Sequence, residues 1–338
     1  MIEGHGDDGY RYSGIKADFS SNVPGGVDHR PLRKYLAGIM EVLEHYPEPE
    51  PYAFGREIAA RHGISPECVL VTNGATEAIY LTAHMLQGKR TTVIEPSFSE
   101  YRDACTVYGH EVTGAGNLRE LPDRMPDSVW LCNPNNPLGT ATPPETVLEL
   151  ASSHPDTVIV VDQSYEDFTL RPVLAPSEVV EQYPNVILIH SMTKLFAVPG
   201  LRIGYITTSA ETCRRLRALR MPWSVNAMAV EGGRWLLKHG LPGPSLKDLL
   251  KETERVRTAI EAAGGFSTLP TDTHFMLVTT RHGTAAQLKD WLAGTHGLLI
   301  RNADNFHGLG SGHFRIAVQT PAQNDMLINA LRQWTRLF

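Results

Sequence analysis

One lysine, Lys194, stands among residues that could activate it chemically. It follows the apolar run 186–189, which predicts a short buried strand, so Lys194 comes at the carboxyl end of that strand. In open α/β sheets, ligands bind at this edge. A lysine that forms a Schiff base must be partly desolvated or lie near another cation. Lys194 is therefore the candidate nucleophile.

Arg202 follows in the same stretch and supports two interpretations. It could be the cation that favours a neutral amine on Lys194, or it could bind a phosphate together with the hydroxyls of Ser191 and Thr193. A strand-end lysine beside a Pro-Gly turn is also common in proteins without this chemistry. Other segments of the chain must therefore decide between these interpretations.

A carboxylate, Asp162, ends a second apolar run, 157–161, which predicts a strand buried on both faces. A buried carboxylate is costly unless it meets a cation or a strong donor, and a protonated pyridine nitrogen would meet that need. Tyr165 follows three residues later, and its hydroxyl could form a hydrogen bond with the same ring on the same side. These residues predict a site for an aromatic nitrogen base.

An anion site is predicted where a third strand pattern, 68–72, turns into a helix at Gly74, Ala75 and Thr76. The N–H groups of a first helical turn point outward, and the helix dipole favours an anion there. A glycine at a strand-to-helix turn is common for steric reasons alone. This segment therefore supports the phosphate interpretation only together with the others.

Three further side chains follow predicted strands. Phe98 and Tyr101 come after the strand pattern 90–95, and either ring could project at the sheet edge. Asn136 belongs to the second of two Asn-Pro pairs, which force an extended loop and direct side-chain amides outward. An amide here could donate to a phenolate oxygen.

Two arginines in the last third of the chain could bind a carboxylate, since guanidinium binds carboxylates in a bidentate manner. Arg315 lies on the predicted strand 314–318, and Arg301 lies in the polar stretch that precedes it. Arg301 also fits the description of a solvated surface charge.

The composition excludes several classes of function. The chain has 338 residues and a net charge of −6, which gives no basic surface for nucleic acid or anionic membrane. The 14 histidines and four cysteines show no metal-ligand spacing. No apolar run is long enough for a membrane helix, and the amino terminus lacks the apolar core of a signal peptide. We expect a cytoplasmic protein that acts on small molecules and holds no metal.

The organisation predicted from these patterns is α/β. We expect an amino-terminal arm at 1–30, a large domain with a mostly parallel sheet at 31–222, and a small α+β domain at 223–338. An amphipathic helix is predicted over 31–44, a second helix over 54–62 and a long charged helix over 245–263.

The segments also resemble those of a known family. Gly-Ala-Thr, an aromatic residue, Asn-Pro-Leu-Gly, Asp-x-x-Tyr and Lys follow in the order found in fold-type I pyridoxal-phosphate (PLP) enzymes, the aminotransferase superfamily. The stretch 193–205 and the sequence Pro-Trp-Ser-Val-Asn at 222–226 are most similar to threonine-phosphate decarboxylases, and next to histidinol-phosphate aminotransferases.

The resemblance implies the aspartate aminotransferase fold type I, also called PLP-dependent transferase-like, and pyridoxal 5'-phosphate as the cofactor. It implies that Lys194 forms a Schiff base with PLP and acts as general base, and that Asp162 and Tyr165 contact the ring. An aromatic residue stacks on that ring, and we favour Phe98 over Tyr101. The other implied cofactor-binding residues are Gly74, Ala75, Thr76, Asn136, Ser191, Thr193, Arg202 and, from the neighbouring subunit of a homodimer with shared sites, Tyr46.

The resemblance also implies a substrate site. Arg315 matches the carboxylate-binding arginine of the superfamily, and Arg301, Asn22 and His5 are further substrate candidates. The reaction is either decarboxylation of L-threonine O-3-phosphate, which belongs to cobalamin biosynthesis, or transamination of histidinol phosphate or another amino acid. A non-catalytic PLP-binding module is the alternative of another class. A nicotinamide dehydrogenase is a third, but no GxGxxG follows a predicted strand.

Overall fold

The computed structural model describes residues 8–338, in which strands and helices alternate along most of the chain. The strands are β1 (Ala17–Asp18), β2 (Val69–Thr72), β3 (Arg90–Ile94), β4 (Glu111–Ala115), β5 (Ser128–Cys132), β6 (Val158–Asp162), β7 (Val186–Ser191), β8 (Gly204–Thr207), β9 (Phe266–Thr268), β10 (Phe275–Thr280), β11 (Leu298–Leu299), β12 (Arg301–Asn302) and β13 (His313–Ala317).

The α-helices are α1 (Arg30–Ala37), α2 (Tyr52–His62), α3 (Gly74–Met85), α4 (Glu100–Val107), α5 (Pro144–Ser153), α6 (Pro176–Gln182), α7 (Met192–Leu195), α8 (Ala210–Leu219), α9 (Ala227–His239), α10 (Leu246–Ala262), α11 (Ala285–Trp291) and α12 (Pro321–Trp334). Short 3₁₀ segments are Gly9–Arg11, Met40–Glu44, Pro66–Cys68, Leu118–Glu120, Glu166–Phe168, Pro199–Leu201 and Thr335–Leu337, and Leu292–His296 is a π-helix.

A seven-stranded sheet has the order β2-β8-β7-β6-β5-β3-β4. Every pair in it is parallel except the two pairs made by β8. Since β8 runs against both of its neighbours, β2 points the same way as β7. The carboxyl ends of β2, β3, β5, β6 and β7 therefore lie at one edge of the sheet, together with the amino end of β8.

Both faces of this sheet are covered, which explains the continuous apolar runs. On β7, Ile187 and Ile189 pack into one hydrophobic cluster, whereas Val186 and Leu188 pack into another on the opposite face. Strand β6 is divided in the same way. A buried side chain of this size contributes about 1.5–3 kcal/mol to stability. Helices on both faces thus hold β6 and β7 in register and fix the positions of the polar residues at the carboxyl ends of these strands.

A four-stranded sheet, β12-β13-β10-β9, is antiparallel and is formed by the last third of the chain. The amino-terminal arm packs against this part of the chain, because β1 pairs in parallel with β11. Beyond β1, the Phe19 carbonyl accepts a hydrogen bond from Ala317 N at 2.8 Å. The arm is therefore ordered by backbone pairing from residue 16 onward.

The structure corrects several element predictions. The helix predicted over 31–44 ends at Ala37, and the chain turns at Gly38 before the 3₁₀ segment Met40–Glu44 begins. Strand β8 was not predicted, since its four residues follow the Pro-Gly turn without a distinct pattern. The domain boundaries at 30 and 222 stay a prediction.

Among residues 8–338, no helix is both long and apolar enough to cross a membrane.

Candidate active site

A cavity of about 210 Å³ opens at the carboxyl edge of the seven-stranded sheet. Its walls come from the ends of β2, β3, β5, β6 and β7, from the start of β8, and from the small sheet. The predicted site residues that line it are Ala75, Thr76, Phe98, Tyr101, Asn136, Asp162, Tyr165, Ser191, Thr193, Lys194, Arg202, Arg301 and Arg315. Residues far apart in sequence meet here because parallel strands end at the same edge.

Lys194 lies in the short helix α7, directly after β7. Its side chain is half-buried, and Nζ donates a hydrogen bond to the Ser21 carbonyl at 2.9 Å. Ser21 belongs to the amino-terminal arm. The arm thus reaches the lysine of the large sheet and supplies one wall of the cavity.

Asp162 is the last residue of β6, and its carboxylate is buried. Oδ2 accepts a hydrogen bond from the Tyr101 hydroxyl at 2.7 Å, and Oδ1 accepts one from the Ser164 N–H at 2.9 Å. Burial raises the pKa of Asp162 above its usual value, although both hydrogen bonds act in the opposite direction. A cationic partner at this carboxylate would therefore be strongly favoured.

The two candidate aromatic residues differ in their surroundings. Tyr101 is almost fully buried and bonded to Asp162, whereas Phe98 is half-buried. Their rings meet edge to face, with centroids 5.8 Å apart. Tyr165 is also buried, and its ring contacts Phe275 at 4.8 Å. The cavity thus has an aromatic wall on which a planar ring can stack.

The strand-to-helix turn at Gly74 forms a cradle with Arg202. Gly74 has a φ of +75°, and a Cβ built on it would lie 2.6 Å from Arg202 Nη2. On β8, a Cβ at Gly204 would lie 2.7 Å from the Ala75 nitrogen. The Thr193 hydroxyl is buried and has no partner among the described residues. This group of donors at a helix start can bind an anion.

Arg315 and Arg301 face each other across the β12–β13 pair. Both are buried, and no carboxylate among residues 8–338 forms an ion pair with either. Arg315 donates to the Asn136 side-chain oxygen and to the Ser20 carbonyl, while its Nε is buried without a partner in the described part of the chain. Burial lowers the pKa of both guanidinium groups, that of Arg301 to about 9.

Three of the described residues that were predicted for the site do not line this cavity. Gly74 packs against the Arg202 guanidinium, and Asn22 is buried in the arm with its carbonyl accepting from His274 Nε2 at 3.2 Å. Tyr46 is 85% exposed and contacts Trp223, with ring centroids 5.5 Å apart. His5 lies outside the described residues. The roles proposed for these residues stay predictions.

The cavity also includes residues that the sequence analysis did not assign: Ser20, Ser21, Ile79, Ser164, Pro199 and Phe306. Ser20 and Ser21 act through their backbone carbonyls, and no side-chain pattern predicts such a contact. Phe306 places its ring 5.1 Å from the Arg301 guanidinium. The sequence signal that could have predicted Phe306 is its position, five residues after the candidate anion-binding Arg301.

Most of the chain is similar to enzymes of one family. The sequence model of the family "Aminotransferase class I and II" matches residues 15–331. The threonine-phosphate decarboxylase of Salmonella typhimurium is 28% identical over 336 residues, which cover 93% of this chain and 90% of that protein. The histidinol-phosphate aminotransferase of Caldanaerobacter subterraneus subsp. tengcongensis is 28% identical over 306 residues, covering 85% and 84%.

A solved structure agrees with these sequence matches. The L-threonine-O-3-phosphate decarboxylase from Porphyromonas gingivalis superposes with a TM-score of 0.90 at 36% identity, covering 94% of this chain and 99% of that one. The predicted fold class and the predicted enzyme class are confirmed, and the non-catalytic alternative and the dehydrogenase are not supported. Since the family match spans every strand end that contributes to the cavity, the chain belongs to the class I and II aminotransferases and is an enzyme with their fold.

Proposed function

We propose that this enzyme binds PLP at Lys194 and decarboxylates L-threonine O-3-phosphate. The observation that carries the proposal is the pair of buried guanidinium groups, Arg301 and Arg315, in the same small cavity as Lys194. A substrate with a carboxylate and a second anionic group would pair with both. Phosphothreonine has these two groups, and relatives at 28% and 36% identity carry the name of its decarboxylase.

The residues of the cavity fit the cofactor chemically. The Thr193 hydroxyl is buried without a partner among residues 8–338, and the missing side chain at Gly74 lets Arg202 approach the start of α3, since a Cβ there would lie 2.6 Å from Nη2. Asp162 is a buried carboxylate that a protonated pyridine nitrogen would neutralise. The phosphate would be held by Ala75, Thr76, Ser191, Thr193 and Arg202, and the ring by Phe98, Asn136, Asp162 and Tyr165. When bound, PLP supplies a ring that accepts the electron pair released at the substrate α-carbon.

The side chains of the chain itself then orient the substrate and move protons. Lys194 Nζ lies 2.9 Å from the Ser21 carbonyl, so the amine is held at the cavity wall where it can give or take a proton at the α-carbon. Arg315 would hold the substrate carboxylate, with its guanidinium oriented by the Asn136 side chain and the Ser20 carbonyl. Arg301 would hold the distal phosphate beside Phe306.

Histidinol-phosphate aminotransferase is the second candidate, because a relative of that name is also 28% identical. Histidinol phosphate has a phosphate but no carboxylate. It would leave one of the two buried guanidinium groups without an anion, and an unpaired buried charge is costly. For this reason we favour phosphothreonine.

The proposal includes a homodimer with shared sites. Exposed apolar side chains, half or more accessible, lie on neighbouring segments: Met40, Leu43, Tyr46, Tyr52, Met221 and Trp223. The segments touch, since Trp223 N donates to the Pro49 carbonyl at 2.9 Å. Such a surface fits a second copy of the chain, which would bring its Tyr46 to the cofactor phosphate. The predicted cytoplasmic location stays a prediction.

The first experiment tests cofactor attachment. Protein incubated with PLP, reduced with borohydride and digested should carry the cofactor mass on the peptide that contains Lys194. The modification should be lost in Lys194→Ala and kept in Lys251→Ala, since Lys251 is exposed on α10. Modification that persists in Lys194→Ala would refute the assignment.

The second experiment tests the reaction. We expect carbon dioxide release from O-phosphothreonine, and a much higher KM for threonine, which lacks the phosphate. Arg301→Gln should raise the KM for O-phosphothreonine by about 30-fold or more, since it removes one partner of a buried charge pair. The exposed Arg281→Gln is the control. Amino-group transfer from histidinol phosphate to 2-oxoglutarate, without carbon dioxide release from phosphothreonine, would favour the second candidate.

A further inference from the structure

Helix α7 separates two cavities. Thr193 and Lys194 line the cavity described above, whereas Met192 and Leu195 line a second cavity of about 330 Å³ on the other side. Ser191 contributes to both. The second cavity contains a group of polar side chains that the proposed reaction does not use, and His190, the residue before Ser191, is one of them.

His190 connects β7 to two neighbouring segments. Its side chain is 1% exposed, and Nδ1 lies 2.7 Å from Glu166 Oε1. On the other side of the ring, Nε2 lies 2.9 Å from Thr207 Oγ1 on β8. The ring stacks on Tyr205 with centroids 4.5 Å apart. His190 therefore bonds to the segment after β6 on one side and to β8 on the other.

Glu166 is fixed from several directions. Its second carboxylate oxygen accepts from Gln163 Nε2 at 2.9 Å, and its backbone N–H donates to the Gln163 carbonyl at 3.0 Å. Burial alone would raise the pKa of Glu166, but the charge and hydrogen bond of His190 bring it below the usual value. Glu166 therefore carries a negative charge and accepts the Nδ1 hydrogen of His190.

The position of this contact relates two parts of the active site. The ladder between β6 and β7 ends at Asp162 and Ile189, with one further hydrogen bond from Gln163 N to the Ile189 carbonyl. Beyond that point the backbones diverge, one leading to Tyr165 and the other to Lys194. The Glu166–His190 contact joins the two segments after the ladder has stopped.

We infer that Glu166 and His190 form a positioning pair that sets Lys194 relative to Asp162 and Tyr165. The pair does not line the cavity of Lys194 and acts through the backbone of residues 190–194. The inference rests on the proposed use of Lys194. A displacement of about 1 Å at a reacting group can cost about a hundredfold in rate, so a contact that fixes this distance has a measurable effect.

The other titratable and charged groups around the pair do not substitute for it. His62 lies with its ring 5.7 Å from that of His190, but its Nε2 is bonded to the Tyr205 hydroxyl at 2.8 Å. Burial lowers the pKa of His62 to about 4, so it is neutral near pH 7. Arg61 and Asp167 are exposed at the rim of the second cavity.

Two substitutions of His190 separate its two bonds. Asparagine places an amide where Nδ1 stands, so His190→Asn can still donate to Glu166. Glutamine reaches the Nε2 position, so His190→Gln keeps the Thr207 contact and loses Glu166. Glu166→Gln removes the charge from the other side, and Thr207→Val removes only the β8 contact. We expect kcat to fall about tenfold in His190→Gln and Glu166→Gln with KM within about twofold, and to change far less in His190→Asn and Thr207→Val.

A second measurement uses the cofactor-free protein. An acylating reagent labels Lys194, and peptide mass over a pH series gives the rate. We expect this rate to change in His190→Gln and Glu166→Gln and to match the wild type in Thr207→Val. If the wild type fails to bind PLP, the proposed function fails while this labelling still tests the pair. Wild-type kcat and labelling in both His190→Gln and Glu166→Gln would overturn the inference. Equal losses of kcat and thermal stability in His190→Asn and His190→Gln would also overturn it.

Discussion

The Tyr101 hydroxyl donates a hydrogen bond to Asp162 Oδ2 at 2.7 Å, deep at the edge of the large sheet. This bond gives Tyr101 a polar role, whereas Phe98 offers the cavity only a ring. We therefore expect the two aromatic residues to have different roles. In the proposed complex, Tyr101 would tune the carboxylate that would face the pyridine nitrogen, and Phe98 would stack on the ring.

Tyr101→Phe tests the polar role. The substitution removes a hydrogen bond to a charged acceptor, which contributes about 1.5–3 kcal/mol, and keeps the ring. The pKa of Asp162 should rise further, because that hydrogen bond stabilises the charged form. We expect kcat to fall about tenfold and the Kd for PLP to change less than about threefold, measured by steady-state rates and fluorescence titration.

Phe98→Leu is the matched variant, since it removes the other ring and leaves Asp162 bonded. It should weaken PLP binding more than Tyr101→Phe does, because stacking of aromatic rings contributes about 0.5–1.5 kcal/mol. If Tyr101→Leu weakened PLP binding and Phe98→Leu did not, Tyr101 would be the stacking residue.

Asp162 predicts a pH dependence of stability for the cofactor-free enzyme. Burial raises its pKa in the folded state above the unfolded value of 3.8. Between these two pKa values the unfolded chain loses the proton first, so the free energy of unfolding falls as the pH rises. Below pH 3.8 both states are protonated and the effect vanishes. Above the folded-state pKa both states are ionised, and the wild type carries the full destabilisation.

Asp162→Asn should remove this dependence, because the amide is neutral and its oxygen can still accept from the Ser164 N–H. Urea unfolding of both cofactor-free proteins over a pH series is the measurement. We expect Asp162→Asn to be more stable than the wild type at pH 7 and inactive, with the two stabilities converging at acid pH. Parallel curves would contradict the raised pKa.

Gly74→Ala and Gly63→Ala separate backbone strain from loss of the anion site. Both glycines have a positive φ, +75° and +67°, where alanine costs about 1–2 kcal/mol. A Cβ at Gly74 would also lie 2.6 Å from Arg202 Nη2, whereas one at Gly63 meets open space. Both variants should lose similar stability in urea, but only Gly74→Ala should raise the Kd for PLP, by about tenfold or more. Equal affinities in the two variants would show that Arg202 is not needed for phosphate binding.

The strand ends of the large sheet were predictable, because buried apolar runs mark β5, β6 and β7 and the polar residues that follow must meet at one edge. This reasoning correctly places Lys194, Asp162 and Asn136 in one cavity. It relies on hydrophobic periodicity, which is strong wherever a sheet is covered on both faces.

Other parts of the site depend on pairings too short to leave a pattern. Strand β12 has two residues, yet its register with β13 sets Arg301 opposite Arg315. The Ser20 and Ser21 carbonyls accept hydrogen bonds from Arg315 and Lys194. Because the acceptors are backbone atoms, residues with any side chain could make these contacts, and the sequence does not mark them. The antiparallel insertion of β8 brings Arg202 to the cavity, and four residues after a turn do not predict it.

Tyr46 provides the test of the proposed shared active site. Its ring is 85% exposed, and it does not line the cavity of its own chain. If the partner's cofactor phosphate is its target, Tyr46→Phe should weaken PLP binding without a large loss of monomer stability. Tyr52→Phe is the control, since Tyr52 is a half-exposed tyrosine of the same surface. Affinity for PLP and unfolding in urea are the two measurements.

Mixing two variants that are each impaired at low PLP decides whether Tyr46 acts within its chain or across the dimer. Lys194→Ala lacks the lysine and keeps Tyr46, while Tyr46→Phe keeps the lysine, so a hybrid dimer contains one site with both native residues. Random reassortment makes half of the dimers hybrid, and about a quarter of all sites should regain wild-type activity. If Tyr46 acted within its own chain, no hybrid site would be native and mixing would restore nothing. The activity of mixed proteins, refolded together at low PLP, therefore tests the dimer and the role of Tyr46 in a single measurement.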